Sequence, residues 1–561
     1  MKASDFIVEY LIEKEITDVF GYPGGMVIHL MDSLRKYNDR IQAHVTYHEQ
    51  GAAFAACGYA QASGKVGVAY ATSGPGATNL ITGICNAFFD SIPTVFITGQ
   101  VNSFESRGAY SIRQRGFQET DIVSMVSGVT KYAVLVESAE RLKWYLDYAF
   151  WISKAGRPGP VLLDIPMDIY RAEINPDEME GYSCQNEATD GEYPNIIDAL
   201  EKASRPVILV GNGVKQANAI EQLMFFLHKV RIPVVTTMLA VDLVADTNYG
   251  FIGAYGSRTA NFIVAKSDLV LAIGARMDVR QVGARRENFA PDAKIIRVDI
   301  DPGELDYRVH QNEEQICANA NDVLKYLNSC NLFFKYDHWL DICEQIRTRL
   351  ENMDDRLPNM ITHMLGENIP DDAIITTDVG QNQVWVAQSL KIKKNQKVFF
   401  SGGHGAMGYS LPAAIGCALA TGKHVISFSG DGGFQMNIQE LQTIVREQLP
   451  ISIVVFNNYS LGMIRHFQEM YFQENFFQTV LDCGYTVPNF KAISEAYKIP
   501  YAAVDDLKDI KSDIFRHDGP RLIEVKLNEP TYVFPKLEFG KPNQDQEPLL
   551  DRNLYEELMN L

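Results

Sequence analysis

Cysteine is sparse in this chain and never falls at ligand spacing. The eight cysteines among 561 residues are scattered without a CxxC pair, which excludes the common zinc modules and a disulfide framework. Buried reduced thiols are the expected form. No run approaches the roughly 18 apolar residues that a bilayer span needs. Runs of Lys and Arg are missing too, and 70 acidic residues outnumber 51 basic ones for a formal net charge of −19. Nucleic acid is therefore not an expected partner. The start, MKASDFIVEYLIEKE, carries acids inside its apolar pattern, so it reads as an amphipathic helix and not as a signal peptide. A cytoplasmic protein with no membrane partner is the expectation.

What is present is the composition of a globular protein, 46% hydrophobic and 22% charged. The length exceeds one ordinary core. Apolar runs of four to seven residues alternate with amphipathic segments. VGVAYAT, TVFITG and PVLLDIP lie before about residue 170; PVILVGNG, PVVTTML, LVLAIGAR and IIRVDID fill 206–301; AIITTDVG, VISFSGDG, ISIVVFNN and LIEVKL follow 370. Strand, helix, strand repetition predicts parallel sheets covered by helices on both faces. YSCQNEATDGEYPN (182–195) is polar and turn-rich, a linker, and 331–358 is helical in period. The expected fold class is α/β: three doubly wound parallel-sheet domains over 1–180, 190–345 and 360–535. A Pro-bearing tail, 536–561, is expected to wrap across the surface.

One stretch carries the chemistry most openly: GDGGFQMNIQELQTIVREQLPISIVVFNN, Gly430 to Asn458. VISFS before it is a strand by composition, FQMNIQELQTIVREQL is helical in period, and ISIVVF is the next strand. A right-handed unit makes the two strands parallel, so their carboxyl ends share one edge of the sheet. Asp431 and Asn458 then stand side by side. Gly432 and Gly433 let backbone N–H groups approach a phosphate at the helix N-terminus. One carboxylate, one amide oxygen, a backbone carbonyl and phosphate oxygens suit a six-coordinate Mg²⁺. The plainer reading is two tight turns, because GDG and NN are common turn sequences.

Other signals are weaker alone. VTYHEQGAAFAACGYAQASG sets Glu49 where a strand-like segment meets a helix, a place a Glu ordinarily takes for the helix dipole. ATSGPGATN (71–79) is a Gly/Pro turn chain. Gly211 and Gly213 in VGNGV give a faint phosphate signal. In GARMDVRQVG (274–283), Arg276 and Arg280 flank Asp278, which reads most simply as an internal ion pair.

GDG followed by NN resembles the diphosphate motif of thiamine diphosphate (ThDP) enzymes. From GYPGG (21–25) near the start to LIEVKLNEP near the end, the chain resembles acetolactate synthase and its close relatives. The resemblance implies a pyrimidine-binding domain first, a flavin-associated domain second and a diphosphate domain third. It implies ThDP, Mg²⁺ and FAD as cofactors and pyruvate as substrate. By that likeness Asp431, Asn458 and the backbone of Ser460 hold Mg²⁺. Gly380, Gln381 and Asn382 of DVGQNQ, Gly405 and Met407 of GGHGAMG, and Gly432, Gly433, Gly462 and Met463 contact ThDP. Glu49 would hydrogen-bond the pyrimidine ring nitrogen and drive the tautomer that activates the cofactor. Tyr22, Pro75 and Asn79 border that ring, and Gly25 and Gln118 would hydrogen-bond the reacting carbonyl. Arg157, Gly274, Arg276, Arg280 and Asp299 become FAD contacts with Gly211 and Gly213 beside them, and Arg276 would also face an acceptor carboxylate. The site is shared between two chains, so a homodimer or homotetramer is implied.

Departures from that family cluster where a second substrate should enter. They are Met167 for a usual lysine, His466 and Phe467 for Gln and Trp, Asn382 for His, His404 for an apolar residue, and a longer VNSFESRGAYSIRQRGFQE loop. The expected reaction is decarboxylation of pyruvate and transfer of the two-carbon hydroxyethyl/acetyl unit to a second carbonyl. A second keto acid as acceptor, pyruvate itself, gives 2-acetolactate. A nucleotide-linked keto-sugar gives a branched-chain sugar, as in relatives associated with surface polysaccharides. An FAD-dependent pyruvate oxidase is the other alternative.

Overall fold

A computed structural model describes residues 1–184, 191–244 and 248–561. Part of the expected 182–195 linker lies outside the described residues; the flanking residues 182–184 and 191–193 carry no regular structure. Three six-stranded sheets are present. The first holds β1 (Asp18–Gly21), β2 (Gln42–Val45), β3 (Gly67–Ala71), β4 (Thr94–Gln100), β5 (Tyr132–Leu135) and β6 (Pro160–Pro166). The second holds β7 (Pro206–Val210), β8 (Val234–Thr236), β9 (Asn248–Phe251), β10 (Leu269–Ile273), β11 (Lys294–Asp299) and β12 (Glu313–Cys317). The third holds β13 (Ile374–Thr377), β14 (Lys397–Phe400), β15 (Val425–Gly430), β16 (Ile451–Asn457), β17 (Tyr501–Val504) and β18 (Arg521–Lys526). Pairing is parallel from β2 to β5 in the first sheet, from β12 to β9 in the second, and along β13–β15–β16–β18–β17 in the third. The central strands are apolar and buried along their whole length, as two-sided coverage by helices requires.

Strand order separates the sheets into two kinds. The first runs β2-β1-β3-β4-β6-β5 and the third β14-β13-β15-β16-β18-β17, the same topology used twice. The second runs β12-β11-β10-β7-β8-β9, the doubly wound order of dinucleotide-binding sheets, with its reversal between β7 and β10.

The chain forms two compact units. One contains the first and third sheets; the other contains the second sheet together with residues 531–561. In the first unit, helix Glu49–Ser63 lies against helix Ser410–Thr421. Small residues allow the contact: a Cβ on Gly58 would lie 2.1 Å from the Ala413 carbonyl oxygen, and one on Gly416 would lie 1.9 Å from that of Ala55. Tyr409 Oη donates to Gln61 Oε1 at 2.6 Å across the same seam. One apolar core runs through both sheets' helices, with Ala52, Ala56, Ile415, Phe434 and Leu441 all buried.

The second unit binds its tail firmly. Arg258 is buried and donates to the carbonyls of Gln546 (2.9 Å) and Pro548 (2.6 Å). Leu558 of the terminal helix Arg552–Asn560 is fully covered. Among the described residues no helix is long and apolar enough to cross a membrane.

Candidate active site

In the first unit the expected site residues fall at the carboxyl edges of the two sheets, where doubly wound folds bind ligands. Tyr22 and Gly25 follow β1, Glu49 follows β2, Pro75 and Asn79 follow β3, and Gln118 follows β4. In the third sheet, 380–382 follow β13, Gly405 and Met407 follow β14, Asp431–Gly433 follow β15, and Asn458–Met463 follow β16. Register pairs Gly430 with Phe456, so Asp431 and Asn458 leave neighbouring strands at the same level.

Asp431 is the first residue of helix Asp431–Met436 and is 2% exposed. Its Oδ2 accepts the Asn458 backbone N–H at 3.1 Å, and its Oδ1 accepts Tyr485 Oη–H at 2.7 Å. Burial pushes this carboxyl up to about 6 despite those bonds, the signature of an anion short of a countercharge. Asn458 Oδ1 accepts the Ser460 N–H at 3.3 Å, while its Nδ2 donates to Gln381 Oε1 at 3.0 Å. A Cβ on Gly462 would lie 2.1 Å from Gln381 Oε1, so a side chain there would displace the glutamine amide from Asn458. A Cβ on Gly432 would lie 2.7 Å from Leu461 Cδ2 and 3.1 Å from Tyr485 Oη, with Met407 Cε at 3.4 Å. Met463 is half-buried on helix Gly462–Tyr471.

These residues fit a metal-bound diphosphate on two counts. The donors, one carboxylate, one amide oxygen and nearby backbone, are hard oxygens that leave room for phosphate oxygens on a small divalent cation. Asn382, 2% exposed beside Gly380 and Gly430, has a buried Oδ1 without a partner among the described residues. A buried polar atom left alone is what a cofactor contact would satisfy. Among the described residues no group of three or more His, Cys, Asp or Glu could hold a metal; a cation at Asp431 and Asn458 would take further oxygens from a bound diphosphate.

Glu49 opens helix Glu49–Ser63 and is largely buried, with His48 as the N-cap. Asn79 Nδ2 donates to Glu49 Oε2 at 2.9 Å. Glu49 Oε1 faces Gly76, 3.2 Å from where a Cβ would sit. Gln118 holds φ +61° and packs its backbone against Gly74, immediately before Pro75. The structure therefore joins Glu49, Asn79, Pro75 and Gln118 into one edge. Gly25 starts a 3₁₀ turn with open space at its Cα, and Tyr22 is exposed.

The expected single helix after the GDG motif is broken. Helix Asp431–Met436 is followed by a 3₁₀ turn, Ile438–Glu440, and a second helix, Leu441–Arg446. Asn437 sits at the break and donates from Nδ2 to Gly408 O (2.7 Å) and Gln50 Oε1 (3.1 Å). These bonds replace the helical path.

The central residues in the second unit partly follow expectation. Gly211 and Gly213 leave β7, and Gly274 leaves β10, at the point where strand order reverses. The Gly211 and Gly213 amides themselves donate to Ile273 O (3.0 Å) and Gly274 O (2.9 Å). They serve close backbone approach, a Cβ on Gly211 falling 2.0 Å from Gly274 O. Arg276 is ion-paired with Asp278, which also accepts the Arg280 N–H at 2.9 Å. Asp299 ends β11. A cavity of about 540 Å³ opens beside them, lined by Arg276, Asp278, Arg286, Arg297 and Tyr307 among others. Arg297 is 1% exposed, and its Nε has no partner among the described residues. Arg157 stands elsewhere: it precedes β6 in the first unit, at the amino edge of its sheet, and donates from Nε to Ser91 Oγ at 2.8 Å.

Sequence reasoning missed Tyr485, Asp378, Asn437 and Glu440. Asp378 caps the Gly408 and Val379 amides (2.9 and 2.7 Å), and burial pushes it up to about 7. Its place in DVGQNQ was available as a signal. Tyr485 gave none, being 54 residues from the aspartate it serves.

Comparison with known proteins covers most of the chain. Residues 1–125 match the profile described as "Thiamine pyrophosphate enzyme, N-terminal TPP binding domain", 194–327 the central domain, and 378–525 the C-terminal TPP binding domain. Acetolactate synthase isozyme 2 large subunit of Escherichia coli (strain K12) is 38% identical over 97% of this chain and 99% of its own. The acetolactate synthase large subunit of Corynebacterium glutamicum is 37% identical over 97% of this chain and 90% of its own. That of Lactococcus lactis subsp. lactis is 35% identical over 96% of this chain and 94% of its own.

Proposed function

Because the chain belongs to the acetolactate synthase-like, thiamine diphosphate-dependent enzymes, we propose that it decarboxylates pyruvate and joins the remaining two-carbon unit to a second carbonyl compound. The observation that carries this reading is the pair of Asp431 and Asn458 at the ends of adjacent parallel strands, in the same unit as a buried Glu49 held by Asn79. With pyruvate as the acceptor the product is 2-acetolactate.

Each residue then has a task. Asp431, Asn458 and the Ser460 carbonyl hold Mg²⁺ against the diphosphate, with Gln381 turning the Asn458 amide by its bond to Nδ2. Gly432, Gly433 and Gly462 keep the backbone clear of side chains there, and Met407 and Met463 brace the cofactor. ThDP, when bound, would supply a nucleophilic carbon and an electron sink for the decarboxylation. Glu49 holds a proton at the pyrimidine ring nitrogen; Asn79 fixes its Oε2 and so sets the direction of the other oxygen. Gln118 and the Gly25 amide donate to the substrate carbonyl oxygen, where charge develops. FAD is proposed for the second unit, supported by the dinucleotide strand order and the Arg-lined cavity at its carboxyl edge.

The acceptor has a second reading. The long loop after β4 exposes Tyr110 (72%) and Phe117 (78%), and Arg113 between them in sequence is exposed too. Exposed aromatic rings and a guanidinium on one loop supply the kinds of group that stack on a base and pair with phosphates, which favours a nucleotide-linked keto-sugar.

Incubation with labelled pyruvate, with and without sugar nucleotides, and mass spectrometry of the products decides between them. Labelled acetolactate without added sugar supports the first reading; label appearing only in a sugar nucleotide supports the second. Bleaching of bound flavin by pyruvate would replace both with an oxidase. Glu49→Gln is expected to lower turnover by about two to four orders of magnitude, and near-native turnover would remove the proposed catalytic group.

A further inference from the structure

Glu440 is fully buried, and nothing above assigns it a part in the reaction. It closes the 3₁₀ turn Ile438–Glu440, yet its carboxyl reaches the strand-to-helix connection that ends in Glu49. Oε1 accepts the Tyr47 backbone N–H at 2.9 Å across 393 residues of sequence, and the His48 N–H bonds to the same carboxyl. These amides immediately precede the first residue of helix Glu49–Ser63. A carboxyl at this place caps the helix start from outside it. Room for it comes from Gly51, whose missing Cβ would lie 2.7 Å from Glu440 Oε1.

The neighbouring residues act with it. Asn437 Nδ2 donates to Gln50 Oε1 (3.1 Å), and Arg446 Nη2 donates to Val45 O (2.7 Å). Thr443 Oγ1 lies 3.1 Å from Val45 O and 3.0 Å from Glu440 Oε2. A hydroxyl has one proton to give. With a neutral Glu440 the Oε2 proton can go to Thr443 and the Thr443 proton to Val45 O; with a carboxylate Thr443 donates to Oε2 instead. The chain of bonds runs from Glu440 through Thr443 to Val45 with a neutral acid, whereas a carboxylate leaves Val45 O to Arg446 alone.

We propose that Glu440 is the positioning residue for Glu49: it fixes the direction in which the helix begins, and thereby where the Glu49 carboxyl points. The inference rests on the reading of Glu49 as the acid that serves the cofactor. Burial pushes Glu440 up to about 7, in keeping with the neutral form. The charged and titratable groups around it are Tyr47, His48 and Glu49 on the connection, Arg446 and Glu447 on its own segment, and His44, whose ring lies 3.6 Å from Glu447.

Glutamine copies the neutral acid, with an oxygen for the amides and an N–H for Thr443; alanine copies neither. Three measurements on full-length protein test the proposal: hydrogen exchange of segment 45–51 without cofactor, ThDP half-saturation, and kcat and KM for pyruvate from pH 5.5 to 8.5. Glu440→Ala is expected to speed exchange at 45–51 and to lower kcat at least about ten-fold, with KM and ThDP half-saturation within about two-fold. Glu440→Gln should keep kcat within about three-fold near pH 6.5 and lack the decline expected of the native enzyme as Glu440 ionises. Gly51→Ala, which crowds the carboxyl, should resemble Glu440→Ala and decides the matter if the latter does not fold. The proposal is overturned by native exchange and kcat in Glu440→Ala, by a kcat loss matched by loss of ThDP binding, or by a glutamine variant as poor as alanine. Absent turnover in the native protein would instead defeat the reading of the active site, and the exchange measurement would still decide whether Glu440 governs the helix start.

Discussion

Asp431 keeps both carboxylate oxygens hydrogen-bonded while almost out of reach of solvent. Tyr485 is the partner whose removal leaves the proposed metal ligand in place but loosens it. Tyr485→Phe is expected to weaken Mg²⁺-dependent ThDP binding by about one order of magnitude, as loss of an outer-sphere hydrogen bond does. Titration of cofactor into the metal-loaded apoprotein, followed by protein fluorescence, measures this; unchanged affinity would mean Tyr485 does not orient Asp431. Asp164 offers a separate test in the first sheet. It accepts from Thr98 Oγ1 (2.7 Å) and Gln100 Nε2 (2.9 Å), and Gln100 also donates to Thr120 O near Gln118. Burial pushes Asp164 up to about 7, with Asp121 adding to the effect. A raised folded pKa means the folded state holds the proton that the unfolded chain releases. Its stabilising contribution is complete below the unfolded value and is lost as pH rises to about 7. The stability difference between native protein and Asp164→Asn should therefore shrink by about 1.4 kcal/mol per pH unit between roughly pH 5 and 7. Urea unfolding at four pH values would reveal a flat difference if Asp164 were ionised throughout.

Elements meet in this protein through small residues. The seam between helices Glu49–Ser63 and Ser410–Thr421 brings backbone to backbone at Gly58 and Gly416, so neither helix can move aside for a methyl group without displacing the other. Gly416→Ala is expected to reduce stability by about 1–3 kcal/mol. Calorimetry showing an unchanged melting temperature would contradict the packing. The same seam carries Glu49 at its outer end, so this variant should also depress turnover more than a surface substitution of equal stability cost. The break at Asn437 belongs to this scale as well. An unbroken helix from Asp431 would carry Glu440 away from the Tyr47 amide, and the side chain of Asn437 bends the path by bonding to Gly408 and Gln50.

At the scale of the whole molecule, large apolar side chains lie exposed in two segments of the first unit: Phe104, Tyr110 and Phe117, and Phe472, Phe477 and Leu481. Isolated exposed apolar residues are ordinary, but runs of them mark surfaces that associate. The proposed homodimer, or a homotetramer built on it, would cover the second segment and share the site between copies, leaving the loop that carries Tyr110 and Phe117 to border that shared site. Sedimentation at micromolar concentration should find a dimer or larger, and specific activity should fall on dilution through its dissociation range. A monomer with full specific activity would dismiss the shared site.

The alternation of apolar runs with amphipathic segments was sufficient to set the number of parallel sheets, because strand and helix periodicity is local. It also placed Asp431 and Asn458 at one edge of the sheet, since a right-handed crossover makes consecutive strands parallel; that their strands are direct neighbours came from the structure. Family likeness in GDG, NN and the Glu49 segment was enough for the class of cofactor and chemistry. Strand order was not legible: which strands become neighbours depends on how whole helical layers pack, and the repeated order of the first and third sheets emerged only there. Nor were Tyr485 and Glu440, which reach their partners across 54 and 393 residues and carry no mark in their own neighbourhoods. Burial decided the rest, because a carboxyl's proton affinity is set by the solvent that the complete fold excludes.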